Sequence, residues 1–133
     1  MTMPAHIRTV PVLRSFDEAK AREFYCDFLG FTVDWQHRFE PGLPLYMQVS
    51  RGEIVLHISE HHGDATPGST VRIEVTGVVE YHAGLIAKRY GNMRPGLERR
   101  EYGAREMCVV DPAGNRLIFC EYDEGRVAGD SRG

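Results

Sequence analysis

Apolar and polar residues follow two rhythms along the chain, and the same succession of rhythms occurs twice. Phe16, Ala19, Phe24, Phe28 and Leu29 recur at helical spacings, which predicts one amphipathic helix. Ser15 with Glu18 three residues later predicts its start as a capping box, and Gly30 predicts its end, where a left-handed residue closes the last turn. Strand patterning predicts Ile7 to Leu13 before this helix, then Phe31 to Phe39, Leu45 to Ser50 and Ile54 to Ser59 after it. Arg51-Gly52-Glu53 joins the last two as a tight hairpin, and Glu60 to Ser69, rich in His, Gly, Asp and Pro, reads as a loop. The order then begins again. A strand Thr70 to Val75 leads to a helix from about Gly77 to Arg89 that ends at Gly91. Strands follow near Leu97 to Glu101, Glu106 to Val110 and Arg116 to Glu121, the last two joined by the turn Asp111-Pro112-Ala113-Gly114-Asn115. This suggests an α+β domain of two β-α-β-β-β units, although such alternation also arises without duplication, and the pattern alone leaves both readings open.

Length and composition narrow the class. At 133 residues and 42% hydrophobic, the chain has the size of one globular domain that needs neither disulfides nor a structural metal. The expected division is one domain over residues 1–123, with modules at about 5–59 and 69–122, and a disordered tail over 124–133. With 16 basic and 19 acidic side chains the net charge is −3, which lacks the basic excess that nucleic-acid binding requires. No run approaches the ~18 apolar residues of a membrane span, and no signal-like segment precedes the first strand, so a soluble, unexported protein is expected. Cys26, Cys108 and Cys120 form no CxxC pair, which fits a reducing, cytoplasmic setting, and their apolar neighbours read as those of core residues.

Several of these residues together resemble a known family. Val10-Pro11-Val12-Leu13, Glu23-Phe24-Tyr25, Leu29-Gly30-Phe31, Arg105-Glu106 and the turn Asp111 to Asn115 are similar, in order and spacing, to the bleomycin resistance protein family. That family lies within the glyoxalase and extradiol dioxygenase (vicinal oxygen chelate) superfamily. The resemblance runs from about Ile7 to Glu121. It implies two β-α-β-β-β modules forming a curved, open mixed sheet with the helices outside. On such a sheet, alternation assigns Ile54, Leu56 and Ile58 to the helix side and Val55, His57 and Ser59 to the concave side. Val71, Ile73 and Val75 likewise turn to the core, and Thr70, Arg72 and Glu74 to the cleft.

Enzymes of the superfamily hold a divalent metal with His, Glu or Gln from four strands on the concave face. The matching positions here are Val10, His57, Thr70 and Ile118, so three of the four lack a ligand. Glu121 lies an odd number of residues beyond Ile118 and is expected on the opposite face. The cluster His61-His62 with Asp64, which His6 can approach, reads first as solvated loop. No nucleophile elbow, P-loop or dinucleotide fingerprint occurs. The expectation is therefore no cofactor and no catalysis.

The resemblance implies instead that a small molecule is sequestered: a bleomycin-like drug has flat conjugated rings for aromatic walls and a cationic tail for negative charge. Tyr102 matches a cleft Trp of the family, just before Gly103 and Arg105-Glu106, with Ala104 inserted. Trp35 and Phe39 match an aromatic wall; the alternative for Trp35 is a core or interface anchor. Tyr46 reads first as a packed strand aromatic and second as part of the same surface. Arg72 and Glu74 depart from the family's bulky aromatics; they are expected to pair with each other or to bind a polar, anionic group. Glu98, with Glu101, Glu40 and Asp64, is expected to make the cleft locally negative. Pro11 implies a crossing of the N-terminal strand in a homodimer with shared clefts; an ordinary strand-end proline is the other reading. Two alternatives to sequestration remain at this point: a diverged metal-dependent lyase or dioxygenase, and a cleft for an unrelated metabolite selected by Arg72.

Overall fold

A computed structural model of the protein describes Met3, Ala5 and residues 8–123. The first module contains β1 (Val12–Arg14), α1 (Glu18–Arg22), β2 (Thr32–His37), β3 (Tyr46–Arg51) and β4 (Ile54–Ser59). The second contains β5 (Thr70–Glu74), α2 (Val78–Ala87), β6 (Leu97–Arg100), β7 (Ala104–Val110) and β8 (Arg116–Tyr122). The strands form two four-stranded mixed sheets of identical order, β1-β4-β3-β2 and β5-β8-β7-β6. In each, the first strand lies parallel to the last, Val12 opposite His57 and Arg72 opposite Ile118, and the remaining pairs are antiparallel. The repeat is thus present in topology as well as in pattern, with the α+β, glyoxalase-like architecture that the resemblance implied.

The first helix differs from its prediction at both ends. Its N-cap is Asp17, whose carboxylate accepts from Lys20 N at 3.0 Å. The Ser15 N–H, which a capping box would give to Glu18, donates instead to Ser59 O at 2.8 Å, extending the β1–β4 ladder by one bond. Phe16 consequently falls in the turn before the helix and is 61% exposed, with the Arg14 guanidinium over its ring. From Glu23 to Phe28 the helix widens to π geometry, Leu29 N donating to Phe24 O at 3.0 Å. The wider turn brings the neighbours Phe24 and Tyr25, and then Phe28 and Leu29, to the core together, whereas Ala19 stays outside and Ala21 goes in. Gly30 closes the segment at φ +84°, as expected. At the end of α2 the left-handed position is instead Arg89, φ +60°, two residues before Gly91.

Other boundaries shift by a few residues. The first strand begins at Val12 rather than Ile7; Arg8 to Val10 lie outside any strand, and Ile7, His6 and the tail 124–133 lie outside the described residues. β2 stops at His37, which leaves Phe39 in the following loop. β4 runs over the expected residues. Cys120 is buried as expected of a core residue, while Cys26 and Cys108 are only half-buried.

One core serves both modules. Leu13, Phe24, Phe28, Met47 and Leu56 of the first pack in the same cluster as Ile73, Val78, Leu85, Met107 and Phe119 of the second. Each such fully buried side chain contributes about 1.5–3 kcal/mol. Polar bonds fix the modules relative to each other. The Tyr25 hydroxyl donates to Asp111 Oδ2 at 2.6 Å, and Asn115 Nδ2 donates to Arg14 O at 2.8 Å. Lys88 Nζ donates to the Asp27 and Phe28 carbonyls at the end of the π segment, which satisfies groups a helix end leaves open.

Candidate functional site

Several of the predicted site residues fall in two groups, Trp35, Tyr46 and His57 on the first sheet and Arg72, Glu98 and Tyr102 on or beside the second. Alternation in β3 turns Tyr46, Gln48 and Ser50 to the same side as His57, because Gln48 is the register partner of His57. β2 contributes through an irregularity: its register to β3 shifts between Val33 and Trp35, making Asp34 the extra residue of a β-bulge. The bulge lets Asp34 and Trp35, neighbours in sequence, serve the same face. Trp35 is 44% exposed and stacks on Tyr46 with ring centroids 5.9 Å apart and planes within 6°. His57 meets both rings edge-on, at 5.3 Å from Trp35 and 5.2 Å from Tyr46.

Behind this plate runs a continuous hydrogen-bonded chain. Asp34 accepts from Gln48 Nε2 at 3.0 Å and from Ser50 Oγ at 2.9 Å, and both bonds hold its carboxyl below the usual carboxylate range. Gln48 therefore turns its Oε1 to His57 Nε2, 3.0 Å away, which places the ring proton on Nε2 and leaves Nδ1 to accept from the Tyr46 hydroxyl at 2.7 Å. Burial, and to a lesser degree the Arg8 charge, lower the His57 pKa and favour this neutral form; burial raises that of Tyr46. The plate is thus an uncharged aromatic surface in which the Tyr46 hydroxyl and both His57 ring nitrogens are already engaged.

Val10 lies before β1, Thr70 and Ile118 offer no suitable donor, and both ring nitrogens of His57 are committed to Tyr46 and Gln48. The residues present do not fit a superfamily metal. The His61-His62 loop is organised otherwise: Ser59 Oγ donates to Asp64 Oδ2 at 2.7 Å and accepts from His61 N, which folds the loop toward Tyr46. Glu121 is indeed on the opposite face, accepting from Val78 N at 3.0 Å to cap α2.

The second group lies on the other sheet. Arg72 Nη2 donates to Glu106 Oε2 at 2.8 Å, and the Tyr102 hydroxyl stands 3.5 Å from the same nitrogen. Arg72 thus pairs with Glu106 on β7 and not with Glu74 as expected: the diagonal step across Cys120, which faces both Glu74 and Glu106 in register, brings the guanidinium to a buried carboxylate. Arg100 Nε donates to the other oxygen, Glu106 Oε1, at 3.2 Å, and Glu98 pairs with Arg100 at 2.9 Å. Glu98 is therefore neutralised locally rather than a free negative charge. Phe39 is 76% exposed, with the His37 ring edge-on at 5.0 Å. No hydrogen bond, ion pair or ring contact joins the two groups among the described residues.

A groove of about 1010 Å³ lies elsewhere, between the end of the π segment, the β3–β4 hairpin and α2. Glu74, at the open edge of β5, borders it. Its walls hold Arg51 stacked over Tyr81 and the Glu121 cap, so its polar groups serve the packing of the modules.

A family model described as glyoxalase superfamily protein matches residues 4–126. The chain belongs to the glyoxalase superfamily. Among solved structures, the chain is similar to TnmS3, an antibiotic binding protein from Streptomyces sp. CB03234, with 18% identity and a TM-score of 0.73 over 92% of this chain and all of that one. It is also similar to a bleomycin-binding protein complexed with bleomycin, with 22% identity and a TM-score of 0.68 over 89% of this chain and all of that one. A bleomycin resistance determinant encoded on the transposon Tn5 has the same identity and TM-score, over 90% of this chain and 99% of that one. No curated protein matches the sequence.

Sequence reasoning named Trp35, Tyr46, His57, Arg72 and Tyr102 and missed three partners. Gln48 was legible, since it shares the alternation of Tyr46; Glu106 was noted only as part of a motif. Asp34 had no signal, because nothing in Val33-Asp34-Trp35 announces a bulge.

Proposed function

We propose that this protein is a metal-free, non-catalytic binding protein that confers resistance by sequestering an antibiotic with flat conjugated rings, bleomycin-like in that respect. The observation that carries the reading is the parallel Trp35–Tyr46 pair, Trp35 exposed and Tyr46 half-buried, held from behind by His57, Gln48 and Asp34. A pre-ordered aromatic face binds a planar ring without paying to immobilise its own side chains, and stacking of this kind contributes about 0.5–1.5 kcal/mol per pair beyond area burial. Support also comes from the fold, which is shared with structures described as antibiotic-binding and bleomycin-binding. In the same reading Phe39 and Tyr102 form the rims, and the working unit is a cytoplasmic homodimer whose N-terminal segment crosses at Pro11. β1 keeps only three residues in its own sheet, and Pro11, which has no N–H to donate, ends that pairing by accepting from His57 N.

Trp35 is the only tryptophan, so its emission reports on this surface alone. Titration with metal-free and copper-loaded bleomycin should quench it saturably, and Tyr46→Ala should weaken binding by on the order of 1 kcal/mol. No saturable binding below about 10 μM would refute the reading.

A further inference from the structure

We propose that the second sheet carries a carboxylate-recognising subsite built on Arg72, so that the ligand is a planar molecule bearing an acidic oxygen. This rests on the binding reading above and specifies the polar half of its ligand. Glu106 is 5% exposed. A carboxylate that deep requires compensation, and it receives two guanidinium groups, Arg72 on Oε2 and Arg100 on Oε1. One negative charge is thus shared by two positive ones. Glu98 then closes on Arg100 from the rim, which leaves Arg72 as the guanidinium that has only a share in one carboxylate.

Arg72 is also held for the purpose. Cys120, fully buried in the adjoining strand, is small enough for the side chain to cross toward Glu106, while Tyr102 and Tyr122 place hydroxyls beside the guanidinium. The Arg72 side chain nevertheless remains 42% exposed on the concave face. A planar donor fork anchored on Glu106 and still partly exposed suits a carboxylate, which accepts two parallel N–H bonds from such a group. An ammonium has no lone pair to offer such a fork. The acidic groups of this face are Glu106 and Glu98, both paired to arginine, and Glu74, which stands opposite Cys120 on the edge strand β5.

The test is calorimetric titration of the full chain with two probes of one ring system, anthraquinone-2-carboxylate and 2-(aminomethyl)anthraquinone, alongside Trp35 quenching. The wild-type protein should favour the carboxylate by about tenfold, the size of one charge-assisted bond. Arg72→Gln should bring the carboxylate down to the affinity of the amine. Should that variant fail to fold because Glu106 loses a partner, the Arg72→Gln/Glu106→Gln pair, which buries no unpaired charge, should show the same loss of preference. Equal affinity for both probes, or preference for the amine, with Trp35 still quenched, overturns the carboxylate subsite and leaves the binding reading standing. If neither probe nor bleomycin quenches Trp35 or yields heat, the binding reading fails, and the subsite with it.

Discussion

Replacing Tyr25 by Phe removes a single hydroxyl from the bond that ties the π segment to the β7–β8 turn. The Tyr25 ring is buried among Phe24 and Phe31, at 4.9 and 6.3 Å, and Phe fills the same space, so no cavity term enters. What is lost is a 2.6 Å bond to a buried carboxylate. Bonds to charged groups contribute about 1.5–3 kcal/mol. The lower half of that range applies, because Asp111 Oδ2 keeps Asn115 Nδ2 at 2.9 Å, and Oδ1 keeps the Ala113 and Asn115 N–H groups. A loss of about 1.5–2 kcal/mol corresponds, for a chain between the usual size classes, to a fall in Tm of about 5–8 °C. Urea unfolding at fixed protein concentration should show a lower midpoint and an unchanged m-value. A loss below about 0.5 kcal/mol would refute the latch as a stabilising contact.

The same hydroxyl gives an independent check through pH. Burial and the neighbouring Asp111 raise the Tyr25 pKa well above its ordinary value of 10.0. The folded state therefore keeps the proton longer than the unfolded state does. The stabilisation is complete below about pH 10 and is lost as pH rises beyond it toward the folded value. Tyr25→Phe should remove that part of the alkaline stability loss. An alkaline profile identical in the two proteins would contradict the assignment.

Acidification acts on other groups. His57 has a folded pKa below its ordinary 6.5, so stability should fall as pH drops from 6.5 toward the folded value; an NMR titration of its ring should give a midpoint under 6.5, and a midpoint above it would overturn the neutral tautomer. Glu121 is lowered by the Gly77 and Val78 N–H groups, so its contribution is complete above its ordinary 4.5 and disappears as pH falls below that; Glu121→Gln should flatten this acid limb in thermal melts. Two glycines should respond with opposite sign to alanine. Gly84 is exposed within α2 with open space around it, and Gly84→Ala should add about 0.5–1 kcal/mol. Gly114 has equal space but a φ of +85°, and Gly114→Ala should cost about 1–2 kcal/mol in the same denaturation series.

These residues explain which parts of the molecule the sequence could disclose. Of the motifs that carried the family resemblance, Tyr25 bonds to Asp111 across the two modules and Asn115 bonds to Arg14 O, so the signature is a record of how the modules dock. It therefore disclosed the fold well and the ligand poorly. Strand alternation placed His57 and Arg72 on the concave faces because the pleat allows only two sides, and one side was filled by Ile58 and Ile73. Partner choice followed no such rule. Arg72 pairs with Glu106, distant in sequence, instead of its neighbour Glu74, because a buried carboxylate gains more from a guanidinium than an exposed one does. The aromatic plate depends on the bulge at Asp34, which changes side-chain direction without any change in composition. The net charge of −3, set against a cationic drug, has likewise less bearing than local pairing. On the second sheet the carboxylates Glu98 and Glu106 are both paired to arginine, so neither stands there as a free negative charge, whatever the overall charge of the chain.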